Sequence, residues 1–204
     1  MKPGLLALPI AAALSLPAAH PVSGAYPMAG GSSTSDGWHA VAAALVASAP
    51  VGPACKTLPP SGRGSVTELG RLRVDTAIAH SPDLSTLNQA IQAAGLTHKL
   101  NTAKDITVFA PTDEAFKKLG RRKLDKLLAD RNALTRFLAY HVVQGRKTPG
   151  DLKKAEFTTL EGDKITTKGS GDKIKVNKAK VACGNIRTRN ANLYVIDGLL
   201  TPKR

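Results

Sequence analysis

The sequence has 204 residues, 42% of them hydrophobic and 22% charged, a composition that argues against intrinsic disorder and against a membrane-spanning architecture for the chain as a whole. That length accommodates one well-cored domain, but not two ordinary domains plus an atypical N-terminal stretch. The net charge of +14 is uneven: from Lys99 to Arg204 there are 24 Lys and Arg against 11 Asp and Glu, while the first 98 residues hold 5 against 4, so the C-terminal half attracts anions of any kind without choosing among them.

Residues 1–25 combine a cationic start at Lys2, an apolar stretch from Leu5 to Leu16 broken by Pro9, and small residues Ser23 and Ala25. This pattern reads as a secretory signal peptide, and the apolar stretch falls short of the roughly 20 residues a bilayer span requires. The expected protein is therefore secreted, with no membrane span. Residues 26–50 begin with the small, polar run YPMAGGSSTSD and read as a flexible leader, although Trp38 to Ala49 could also form a short helix. The folded domain is expected over 51–204.

From Ser65, apolar residues at Val66, Leu69, Leu72, Val74 and Ile78 follow helical spacing, with Gly70 dividing the run. Ser81, Pro82 and Asp83 form a helix start, and Leu84, Leu87, Ile91 and Ala94 share a face that ends at Gly95. Next, ITVFA reads as a strand running into a helix that Thr112 caps, with Asp113 and Glu114 complementing the positive end of its dipole. Leu124, Leu127 and Leu128 form one apolar stripe, and Leu134, Phe137 and Leu138 form the next. After Gly145 a short helix is expected in TPGDLKKA. From Phe157 onward, alternating runs separated by turns at Glu161-Gly162-Asp163 and Gly169-Ser170-Gly171-Asp172 predict antiparallel strands. Helices first and strands later give an α+β class.

The chain has two cysteines, Cys55 and Cys183. In an oxidising compartment such a pair points to one disulfide, the alternative being two buried free thiols.

Three segments then carry a resemblance. ITVFAPTDEAF, LAYHVVQG and NLYVIDGLLTP resemble, in order and spacing, the first conserved block, the central Tyr-His segment and the second conserved block of the fasciclin domain, over roughly Val51 to Pro202. Leu193 and Tyr194 stand where the second block often carries a histidine. VGPAC and VACGNIRT further resemble the secreted mycobacterial fasciclin antigens, whose cysteines take the same two positions. The resemblance implies a seven-stranded β wedge interlocked with several helices, and a non-enzymatic role in adhesion or in binding at cell surfaces and matrices. The expected partner is a cell-surface or matrix protein, or an anionic cell-wall polymer.

Candidate contact residues follow from chemistry and from the resemblance. His141, beside Tyr140, could act as acid, base or ligand, while its apolar flanks Leu138, Val142 and Val143 equally suit a histidine that makes a core hydrogen bond. Asp197 either fixes a turn or touches a partner. Lys117, Lys118, Arg121, Arg122, Lys123 and Lys126 form the densest basic cluster, read either as a solvated helix face or as an anion-docking patch. No nucleophile elbow, zinc-protease helix, phosphate loop or dinucleotide fingerprint is present, and the histidines are not spaced with the cysteines as metal ligands. No catalytic residue, cofactor or metal is therefore expected. Nucleic acid is disfavoured as a partner by export, by an aromatic content of 4% and by the lack of a reading motif. A monomer is expected, and the competing function is a secreted carrier of a small apolar ligand in a pocket between wedge and helices.

Overall fold

The computed structural model describes residues 49–202; the signal-peptide reading and nearly all of the leader reading fall outside them. Two short helices, α1 (Val66–Arg71) and α2 (Val74–His80), are followed by α3 (Ser85–Ala94) and α4 (Thr97–Thr102). Strand β1 (Ile106–Pro111) leads into α5 (Asp113–Leu119), α6 (Arg121–Ala129) and α7 (Arg131–Tyr140). Then come β2 (Val142–Gln144), β3 (Lys154–Thr158), β4 (Lys164–Lys168), β5 (Lys175–Val176), β6 (Ala179–Arg187) and β7 (Ala191–Ile196). The strands form one seven-stranded sheet in the order β2-β1-β7-β6-β5-β4-β3. This is the α+β fold expected from the sequence.

The two faces of the central strands divide the interior. Ile106, Val108 and Ala110 of β1, with Ala191 and Leu193 of β7, join the helices in one core. The alternate residues Phe109, Tyr194 and Ile196 enter a second core with Ile165 of β4, Val176 of β5 and Val181 of β6. A period of two along a strand buried on both sides produces this division. β1 and β7 are parallel and in register from Ile106↔Ala191 to Pro111↔Ile196, whereas every other strand pairing in the sheet is antiparallel. The antiparallel half was legible from alternation and turns; the parallel pair joins segments some 85 positions apart in sequence, and no local signal marks it.

Local chemistry explains most helix ends. The Thr112 hydroxyl accepts from Ala115 N–H, capping α5, and Gly95 closes α3 in the left-handed region at φ 69°. Three expectations need correction. The break in the first helical run falls at Leu72 rather than Gly70, because Leu72 is extended and its carbonyl accepts from Arg189 N–H. Ser81 does not cap α3: its hydroxyl donates to Ala77 O, Pro82–Leu84 forms a 3-10 turn, and α3 starts at Ser85. The segment at Thr148 is a single turn closed by Asp151 Oδ2, which accepts from Thr148 N–H and Oγ1 at 2.8 Å; Leu152 is then buried and the chain enters β3.

The entrance of the domain is sewn to β6. Val51 exchanges both backbone hydrogen bonds with Gly184, and Cys55 forms a disulfide with Cys183 across a Cα–Cα distance of 4.8 Å. Gly52 sits between them at φ 120°, where an added Cβ would lie 2.4 Å from Ala182 O; only glycine fits so close to the neighbouring backbone. The bridge closes a loop with a sequence separation of 128 residues. Replacing both cysteines by serine is expected to lower unfolding free energy by about 3–5 kcal/mol in urea titrations. An unchanged midpoint would contradict this role.

Candidate functional site

The helix layer does not close fully on the sheet. Leu87 and Ile91 of α3, Leu100 of α4, Leu138 and Ala139 of α7, and Ile106, Val108 and Val142 of β1 and β2 surround a cavity of about 360 Å³. Leu96, Ala103, Lys99, Lys104, Thr135 and Gln144 complete much of its wall, and Leu160, 49% exposed, stands on its rim. The volume and the apolar lining are those of a small-molecule site. Its polar groups are few, and two of them are lysines.

His141 also borders this cavity, yet only 2% of it is exposed. It follows the last turn of α7, where Nδ1–H donates to Phe137 O at 2.7 Å and Nε2 accepts from Leu200 N–H at 3.1 Å. Both ring nitrogens are thus engaged by backbone, in the tautomer protonated at Nδ1. The ring ties the end of α7 to the segment after β7. Burial pushes its pKa down to about 4, with the Phe137 hydrogen bond acting in the opposite sense. Protonation at Nε2 would also remove the acceptor that Leu200 N–H uses. Tyr140 is buried as well; its hydroxyl donates to Lys164 O at 3.1 Å and lies 3.3 Å from Asn177 Nδ2. Tyr194, in the second conserved block, donates its hydroxyl to Lys147 O at 2.8 Å, and burial raises its pKa further.

The remaining candidates lie at the surface. Lys117 pairs with Glu114 at 2.7 Å, and Lys118 Nζ donates to Asp197 O at 3.0 Å. Arg121, Arg122, Lys123 and Lys126 are exposed on α6, whose Leu124, Leu127 and Leu128 are only half-buried. Asp197 is half-buried: Oδ1 accepts from Lys180 N–H at 2.7 Å, and its own N–H donates to Lys180 O at 3.0 Å. Lys118 and Asp197 are therefore brought together at the surface, whereas Tyr140 and His141 are buried.

Asp113 does more than complement its own helix dipole. Burial alone would raise its pKa, but Ser85 Oγ–H and Thr86 N–H both donate to its carboxylate at 2.7 Å, and the net shift is downward. Asp113 thereby serves the start of α3 from another helix, the role that Ser81 was expected to fill. Sequence reasoning also missed Arg146. Its guanidinium holds Asp105 at 2.9 Å and donates to the carbonyls of Thr188, Ala191 and Arg189, fastening the β6–β7 hairpin. No motif marks such a fork, because its acceptors are mostly backbone.

With this geometry in view, residues 82–202 match the model of the fasciclin domain. The chain belongs to the fasciclin family. It is 37% identical over 160 residues to the immunogenic protein MPB70 of Mycobacterium bovis, covering 74% of this chain and 82% of that protein, with the same values for MPT70 of Mycobacterium tuberculosis. It is 38% identical over 148 residues to the cell surface glycolipoprotein MPB83 of Mycobacterium bovis, covering 70% of this chain and 66% of that protein. Among solved structures, a fasciclin-domain pair from the insect cell adhesion molecule Fasciclin I superposes with a TM-score of 0.55 at 18% identity, covering 64% of this chain and 51% of that one. This fasciclin chain thus spans about half of the insect pair, and the likeness is one of fold.

The buried His141 makes folding pH-dependent. Its folded pKa lies below the unfolded value, so the neutral ring's contribution is complete above pH 6.5 and is lost as pH falls toward about 4. Urea unfolding is expected to show a loss of about 2 kcal/mol between pH 7 and pH 5 that is absent in His141→Gln, whatever that variant's own stability. Parallel pH profiles for the two proteins would contradict this.

Proposed function

We propose that this fasciclin protein is exported and works by binding at cell surfaces or matrices, as an adhesion or docking module that holds its partner without converting it. The leader over 1–25 is removed in this reading, and residues 51–204 form the binding domain. The observation that carries it is where the cationic half of the chain puts its charge. Arg121, Arg122, Lys123 and Lys126 on α6, Lys164, Lys168, Lys175 and Lys180 on β4, β5 and β6, and Lys178 in the turn between β5 and β6 are all exposed. Of these nine, Lys164 makes an ion pair, to Glu156 at 3.7 Å; no carboxylate lies within ion-pair distance of the other eight among the described residues. A rigid scaffold with an unneutralised exterior suits an acidic partner, such as an anionic cell-wall polymer or an acidic face of a surface or matrix protein. Kinship with a cell surface glycolipoprotein supports the setting.

Tyr140 and His141 serve this function indirectly, by fixing the junction of α7, β2 and the segment after β7, while Asp197 holds β7 against β6 and presents Lys118. The cavity supports a second reading, in which the protein carries a small apolar ligand between helices and sheet. Its apolar walls and few polar groups are the features such a carrier needs.

Two measurements separate these readings. Purified mature protein incubated with cell-wall fractions is expected to bind at low salt and to be released by about 1 M salt, where the screening length falls to about 3 Å. Binding that persists in high salt, or none at low salt, would contradict charge-driven docking. Native mass spectra of protein purified from its own host are expected to show the bare mass; a retained apolar ligand, lost on replacing Ala139 by Phe to fill the cavity, would establish the carrier instead.

A further inference from the structure

The register of the outer strands creates a feature that the sequence spacing hides. Lys154 of β3 stands directly opposite Lys168 of β4, Lys168 opposite Lys175 of β5, and Lys175 opposite Lys180 of β6. All four are exposed. Neighbouring strands lie about 4.8 Å apart, so the backbone positions of the four lysines form a row about 14 Å long running across the strands. Like charges directly opposite weaken an antiparallel pair. Three such pairs in succession therefore work against the sheet that carries them, and no ion pair to any of the four relieves this among the described residues.

The surroundings extend the row rather than neutralise it. Lys118 reaches the Lys180 end through Asp197, whose carboxylate is turned to Lys180 N–H. Lys168 also lines a depression of about 450 Å³ together with Lys164, Lys178 and Thr166. Three acids lie nearby: Glu156 opposite Thr166, Asp197 just after β7, and Asp172 in the β4–β5 connection, whose Oδ1 accepts from Gly52 N–H. The exposed positions of β3 and β4 are Lys154, Glu156, Thr158, Lys164, Thr166 and Lys168, with no aromatic among them. Phe157 is half-buried on the opposite face, beneath Lys147 Nζ.

We propose that this lysine row is a docking track for a linear acidic polysaccharide bearing carboxylate or sulfate groups along its length. The lysines take successive acidic groups, and Thr166, two positions along β4 from Lys168, offers a hydroxyl to a sugar beside them. Lysine supplies strongly hydrated point charges suited to a flexible polyanion, whereas single-stranded nucleic acid is held largely by stacking on aromatics that this face does not present. The track rests on the surface-binding reading given above and names its partner and its place.

The test uses the full mature protein and a defined oligogalacturonate as probe, titrated at several salt concentrations, with neutral dextran and duplex DNA of equal length beside it. Lys168→Gln with Lys175→Gln is expected to weaken oligogalacturonate binding about tenfold or more and to lower the slope of log affinity against log salt by about one to two. The same variant is expected to melt no lower than wild type, since it removes a repulsion. Arg121→Gln with Arg122→Gln and Lys123→Gln is expected to keep the affinity within a factor of about two, consistent with exposed charges on a separate helix. Equal losses in both variants, no loss in the strand variant, or tighter binding to DNA than to the oligouronate would each overturn the track. Wild-type protein that binds cell-wall fractions while the strand variant binds them unchanged defeats the track alone; wild-type protein that binds no surface fraction defeats the underlying reading too.

Discussion

The parallel pairing of β1 with β7 is the constraint on which the rest of the molecule depends. It joins residues 106–111 to residues 191–196 and gives each strand two buried faces. One face receives the helices and the other receives the folded-over half of the sheet. Because parallel strands cannot be joined by a tight turn, everything between them is connection, and the whole of α5 to β6 is placed by where those two strands meet. The second core buries the inner faces of β4, β5 and the start of β6, and the alternate residues there are thereby left outside. The cationic exterior is thus a consequence of the interior.

Two further devices hold this frame. At one end, the disulfide and the Val51–Gly184 exchange fix the chain's entrance to β6. At the other, His141 accepts from Leu200 N–H while donating to Phe137 O, so one neutral ring links α7 to the segment after β7. A charged ring could not accept, and burial keeps the ring uncharged across the neutral range. The histidine that offered acid, base or ligand chemistry in the sequence has both ring nitrogens engaged by backbone. Asp197 is similarly occupied, since its carboxylate and its N–H both engage the backbone of Lys180.

Much of the fold was legible because local chemistry and tertiary structure agree. The Thr112 cap, the Gly95 stop, the Leu134-Phe137-Leu138 stripe and the antiparallel alternation each required one or two turns of chain to read. What escaped reading was non-local. Asp113 supporting α3, Arg146 gathering carbonyls from the β6–β7 hairpin, and the β1–β7 pair all join segments far apart in sequence. The lysine row escaped reading for the same reason. A helical cluster such as Arg121 to Lys126 is conspicuous in a sequence, whereas Lys154, Lys168, Lys175 and Lys180 are separated by fourteen, seven and five positions and become neighbours only through strand register. The cavity, built from three helices and two strands, carries no sequence signature at all.

On the proposed reading, the packed interior of this fasciclin scaffold holds the charged groups that dock a partner. Mapping backbone amide shifts by nuclear magnetic resonance while an oligogalacturonate is added tests this most directly. The account predicts perturbations concentrated along β3, β4, β5 and the start of β6, with the amides of Phe137, His141 and Leu200 unmoved. Shifts centred on the cavity-lining residues of α3 and α7, or no shifts anywhere, would contradict it.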